Sequence, residues 1–218
     1  MTNREQLNCG TTPKCSSGCS QAKTSPAAVT TDKKVILAAT ALLDSGGEDA
    51  VTLRAVGHAS GISHNAPYKH FKNRDALLAA VATGDFVMLA ESFKAVGKSS
   101  AKPAAKLMKA LKVVVDFSVE HPARYRLLFN YPDIAAQRGE LEKTAFAAFA
   151  EFTVIVQECQ AAQSLPDVPK TTLAGLLFAT MHGLIALQAS GRMHSEKGLS
   201  GVQSGLETLV HLLSPKRT

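Results

Sequence analysis

The sequence predicts an all-α protein, in which a cluster of short helices precedes a larger group of long ones. Two observations carry this. Apolar residues recur at intervals of three and four rather than in alternation, as one face of a helix requires. Thr, Asp or Asn stand at the heads of several of these stretches, with glycine or proline at their ends. With 45% hydrophobic residues in 218, the chain can bury the core of one large domain or two small ones. No run of about 18 uncharged apolar residues is read in it, and the first thirty residues lack the apolar stretch of a secretion signal. A cytoplasmic location without a membrane span is therefore expected. The formal net charge of +6 permits polyanionic partners, but it speaks to non-specific attraction rather than to a site.

Residues 1–29 are rich in Ser, Thr, Gly and Lys and hold too little apolar surface to offset the entropy of ordering them, so a disordered tail is expected. Cys9, Cys15 and Cys19 lie in it with C-x5-C-x3-C spacing, and Cys159 is the fourth cysteine. Three thiolates can bind a soft metal, and Lys14 favours a nearby thiolate. The spacing matches no zinc module. No disulfide framework is evident, so reduced thiols are the default.

Ordered structure is expected from Asp32. In "DKKVILAATALLDSGG" the residues Ile36, Ala39, Leu42 and Leu43 form one helical stripe that Gly46 and Gly47 end. Thr52 then caps a helix through Leu53, Arg54, Ala55 and Val56, and Gly61 stops it because glycine takes left-handed geometry at little cost. Ser63 or Asn65 caps a second short helix ending near Phe71. A start at His64 or Asn65 suits Pro67 best, since proline is tolerated in a first turn. Asn73 opens a third helix with Leu77, Leu78, Val81, Phe86 and Leu89 facing inward.

Two short helices joined by a tight glycine turn describe a helix-turn-helix, whose second helix can enter the DNA major groove. The stretch "TLRAVGHASGISHNAPYKHFKNRDALL", residues 52–78, resembles the DNA-binding segment of TetR-family transcriptional regulators. The resemblance runs over roughly residues 32–213. It implies an N-terminal helix-turn-helix DNA-binding domain over residues 30–78 and a larger helical ligand-binding and dimerisation domain over residues 79–213. It also implies a homodimer on a roughly palindromic operator, released by a small molecule. His64, Asn65 and Lys69 would then face base edges, with Ser63 among the DNA-binding residues at the head of the helix; Asn pairs bidentately with adenine and Lys donates to guanine. Thr52, Arg54, Tyr68 and Lys72 would hold phosphates, which set register without reading sequence. His70 fits packing or phosphate contact.

Beyond residue 95, Leu107, Leu111, Val114, Val115, Ser118 and Val119 mark a helix whose five lysines between Lys98 and Lys112 form a solvated face. His121-Pro122 breaks it, and a brief helix follows through Arg124 to Phe129. A long helix from Ile134 or Glu140 to Gln163 carries Leu141, Ala145, Phe149, Phe152, Ile155 and Cys159 on one side. Phe117, Tyr125, Phe129, Phe149, Phe152, Phe178, Met181 and His182, with Phe146, supply enough apolar surface for a small-molecule pocket, although each also fits plain core packing. Residues 172–188 are apolar on more than one face and need cover on several sides. Leu173, Leu177 and Leu184 there, with Leu199, Val202, Leu206, Leu209 and Leu213 beyond, are the candidate dimer interface, and Gly183 would permit close approach. "HPARYRLLFN" and "MHGLIAL" resemble a TetR subgroup with a Trp-His-Gly signature, Met181 standing where the Trp would be. There is no phosphate loop, nucleophile elbow or zinc-protease motif, so neither enzymatic activity, nor a cofactor, nor a resident metal is expected. A thiol- or metal-responsive sensor acting through the tail is the alternative.

Overall fold

The computed structural model describes residues 30–63 and 65–215, and all regular structure among them is helical. The N-terminal cluster comprises α1 (Thr31–Gly46), α2 (Leu53–Ala59) and α3 (Ala66–His70). The 25-residue α4 (Arg74–Lys98) then runs about 37 Å at 1.5 Å per residue. After it come α5 (Pro103–Glu120), α6 (Pro122–Phe129), α7 (Pro132–Ala135), α8 (Glu140–Ala161), α9 (Lys170–Ala189) and α10 (Val202–Leu213).

Local chemistry sets most of these limits. Gly47 ends α1 at φ 70°, and Asn73 opens α4 by accepting the Ala76 N–H on its Oδ1 at 2.9 Å. Pro103, Pro122 and Pro132 each begin a helix, where a missing N–H leaves no bond unmade. Ile134 belongs to the short α7 rather than to the long α8, because the segment ending at Gly139, at φ 91°, separates them. Val119 leaves the expected buried stripe of α5 and is 64% exposed; the buried stripe is Leu107, Ala110, Leu111, Val114 and Phe117.

α4 belongs to both halves of the molecule. Its first turns bury Leu77, Leu78, Val81 and Ala82, and α1 packs on it with Val35, Ala39 and Leu43 buried. Further along, Leu89 and Phe93 pack toward α8, where the Phe93 and Phe152 rings lie 5.7 Å apart. The chain therefore passes residue 78 inside a continuous helix. Contrary to the sequence expectation, α4 and α9 are each long and apolar enough to cross a membrane by length and composition. Both pack instead into the helical body: α4 against α1, α5 and α8, and α9 against α5, α8 and α10.

Candidate nucleic-acid interface and adjoining cavity

Thr52 Oγ1 accepts the Ala55 N–H at 3.1 Å and so fixes the start of α2. Gly61 at φ 65° turns the chain away, and α3 opens at Ala66 after Asn65. Pro67 is the second residue of α3 and is buried, so its ring anchors the helix to the cluster while its missing N–H leaves no intrahelical bond unmade. The outward side of this unit carries Ser63, Asn65, Tyr68, Lys69 and Lys72, all exposed, with Arg54 exposed on α2. Thr52 is exposed too, although its hydroxyl is engaged as the cap. His64 lies outside the described residues.

Arg74, which the sequence reading passed over, holds this unit to the rest. Its Nε donates to the Val51 carbonyl at 2.9 Å and its Nη2 to the Glu48 carbonyl at 2.6 Å, tying α4 to the turn that feeds α2. Its Nη1 donates to the Tyr131 hydroxyl at 3.2 Å, just ahead of α7. Nothing periodic marks this residue, since its partners lie 23 to 57 positions away.

An ionic cluster makes a second tie. Asp85 on α4 is 3% exposed, and Arg124 on α6 grips both its oxygens, Nε donating to Oδ2 at 3.1 Å. Arg124 also reaches Asp44 on α1 at 3.4 Å, and His121 Nδ1 lies 3.3 Å from the same carboxylate. Burial raises the Asp85 pKa, against the pull of the Arg124 hydrogen bonds and charge.

Behind α7 lies a cavity of about 370 Å³. Phe86 of α4, Leu128 and Phe129 of α6 and Ile134 of α7 form one side. Leu141, Ala145, Phe146 and Phe149 of α8 and Phe178 of α9 form the other, with Gln137, Arg138 and Glu142 as its polar members. Of the pocket residues expected from sequence, Phe129, Phe149 and Phe178 line it. Phe117, Tyr125, Phe152 and Met181 do not: their side chains are buried in the core, at 4%, 7%, 0% and 0% exposure. Phe146, which the sequence groups with the pocket aromatics, also lines it, whereas Phe86 is expected only to face inward, because period alone does not say which side of a buried helix meets a void.

His182 stands behind the cavity wall rather than in it. Its ring lies 4.3 Å from that of Phe129 and 4.7 Å from that of Phe178, and its Nδ1 is 2.6 Å from the Tyr125 hydroxyl. Nε2 is buried with no hydrogen-bond partner among the described residues. Burial holds the His182 pKa down at about 4 and pushes Tyr125 up to about 12, so both are neutral at physiological pH.

The expected interface leucines need correction. Leu173, Leu177, Leu184, Val202 and Leu206 are buried within the subunit, and Leu199, Leu209 and Leu213 pack partly against its core. They point inward because α9 and α10 need them to cover the subunit's own helices. Outward on α9 stand Leu176 (62% exposed), Thr180, Gly183 and Leu187, and on α10 Leu212 (75% exposed). Cys9, Cys15 and Cys19 lie outside the described residues. Cys159 is buried, and burial raises its thiol pKa to about 11, so it is not a thiolate at physiological pH.

A two-helix reading head on a larger helical body defines the class of helix-turn-helix transcriptional regulators. The matched families agree. Residues 35–81 match the bacterial regulatory proteins of the tetR family, and residues 107–210 match the tetracyclin repressor-like C-terminal domain. The chain belongs to the TetR family of transcriptional regulators. It is 31% identical over 145 residues to the HTH-type transcriptional repressor Rv1474c of Mycobacterium tuberculosis, a match covering 66% of this chain and 75% of that protein. Similar folds include a Rhodococcus sp. RHA1 protein of unknown function, with TM-score 0.72 and 24% identity over 89% of this chain and all of that one. The fatty acid degradation regulator FadR of Bacillus halodurans superposes with TM-score 0.64 and 10% identity, over 86% of this chain and 96% of that one. Reduced NemR of E. coli does so with TM-score 0.65 and 12% identity, over 85% and 100%.

Proposed function

We propose that this regulator is a cytoplasmic homodimeric repressor of the Trp-His-Gly subgroup, which binds a palindromic operator and is released by a small molecule in the α4–α9 cavity. One observation carries the reading: Arg74 bonds at once to the turn feeding α2 and to Tyr131, three residues ahead of Ile134 in the cavity wall. A molecule that displaces α7 draws on the same guanidinium that positions the reading head.

Ser63, His64, Asn65 and Lys69 read bases in this scheme, while Thr52, Arg54, Tyr68 and Lys72 hold phosphates. Dimerisation uses the outward face of α9 and α10, with Leu176, Leu187 and Leu212 as its apolar members and Gly183 at the point of closest approach. Twofold symmetry sets two α3 helices about 34 to 36 Å apart, one turn of DNA. The effector must bind the DNA-incompetent arrangement more tightly than the competent one, since a ligand moves an equilibrium only by its differential affinity.

Selection of bound duplexes from a random pool tests the reading. An enriched inverted repeat is the expected result. A pool that stays unenriched, or yields a lone half-site, overturns it.

A further inference from the structure

This inference rests on the effector-responsive reading above and goes to the chemistry of the effector. The cavity volume of about 370 Å³ is near the lower end of small-molecule pockets, which run roughly 300 to 1,000 Å³, so its occupant is compact. Five phenylalanines among the lining residues, Phe86 and Phe129 at one side and three more opposite, favour flat apolar surface. The charged lining residues are Arg138 and Glu142, which pair with each other, so the cavity offers an anion no net countercharge.

One group in this region is left incomplete. The Tyr125 hydroxyl has His182 Nδ1 as its hydrogen-bond partner at 2.6 Å; with Tyr125 as the donor, the proton of the neutral ring sits on Nε2. Nε2 is buried and has no hydrogen-bond partner among the described residues, one ring behind the wall made by Phe129 and Phe178. A buried donor without an acceptor is an unusual expense in a native protein, and it points to a missing partner. Phe129, the last residue of α6, packs against the rings of Phe86, Tyr125, Phe178 and His182, so a ligand in the cavity reaches Nε2 only by turning that ring aside.

We propose that His182 is the polar anchor of the cavity, and that the effector is an uncharged, largely aromatic molecule with one oxygen acceptor that takes the Nε2–H of His182. Tyr125 is the positioning residue that holds the imidazole in the donating tautomer. The neutral state of His182 above pH 4 is consistent with a neutral ligand.

The test uses the full chain and three probes of one shape: 2-acetylnaphthalene, 2-ethylnaphthalene and 2-naphthoate. Affinities are measured by isothermal titration calorimetry. The wild type is expected to prefer the ketone over the hydrocarbon by roughly five- to tenfold, the size of one neutral hydrogen bond, and to bind naphthoate more weakly than the ketone. His182→Phe should keep hydrocarbon binding and lose the preference. His182→Gln, which restores an N–H donor and guards against a misfolded phenylalanine variant, should retain part of it. Equal affinity for ketone and hydrocarbon, a preference that survives His182→Phe, tightest binding of naphthoate, or no binding of either neutral probe overturns the proposal. Operator capture by the same preparation without probe is read separately. A protein that captures an inverted repeat but fails these tests loses only the effector assignment, whereas one that captures no DNA loses the repressor reading itself.

Discussion

Asn65 and Lys69 stand exposed on the helix-turn-helix unit while Pro67 between them is buried, so alternate tips here divide between solvent and core. Replacing Asn65 or Lys69 by alanine should weaken binding to the selected operator by about 1 to 3 kcal/mol and relax preference at one base position. Lys72→Ala should weaken binding to all sequences alike and lower the salt slope by about one; fluorescence anisotropy at several salt concentrations separates the two behaviours. His182 supplies a pH prediction. Its folded pKa of about 4 is depressed from an ordinary 6.5, so the unfolded chain binds the extra proton first on acidification. Stability is therefore complete above pH 6.5 and falls as pH drops toward 4, by up to about 3 kcal/mol. Urea midpoints across that range should fall with acid in the wild type and fall less in His182→Gln. Equal slopes in the two proteins would remove His182 from the account.

At the level of helices, the parts that were legible are those set by near neighbours. Thr52, Gly61, Asn73 and Pro122 at the head of α6 act over one to four residues, and each boundary falls where its cap or break requires. The ties between helices were not legible. Arg74 serves carbonyls 23 and 26 residues back, and Arg124 serves Asp85 from 39 residues on. No local pattern announces such partners. Asp85→Ala leaves Arg124, whose side chain is 14% exposed, without its main counter-ion, and should destabilise the fold by about 3 to 5 kcal/mol in urea unfolding. Arg74→Met frees the turn before α2 without removing any surface group that faces the groove. It should lower operator affinity as well as stability; unchanged affinity in a folded variant would dissociate this guanidinium from the reading head.

For the molecule as a whole, the all-helical class and the position of the reading head followed from sequence, but the faces of α9 did not. An apolar helix with Leu173, Leu176, Leu177, Leu184 and Leu187 around its circumference has no polar side to say which stripe covers its own subunit. In the fold Leu173, Leu177 and Leu184 turn inward, leaving Leu176 and Leu187 outside. Gly183 lies on the exposed side, and a Cβ added there meets nothing within 4 Å in the subunit. If α9 pairs as proposed, Gly183→Leu should fold normally yet populate single chains at concentrations where the wild type is expected to be dimeric, as sedimentation equilibrium would report, with loss of operator binding in step. The placement of Ile134 and Tyr131 around one short segment constrains anyone who would turn this regulator into a biosensor. Under the proposed function, recarving the chamber at Ile134 should also alter promoter leakage in the uninduced state, since the segment that bears it abuts the bond to Arg74. Phe146, on the opposite wall and 67% exposed, is the place to change what is detected while leaving the resting signal alone.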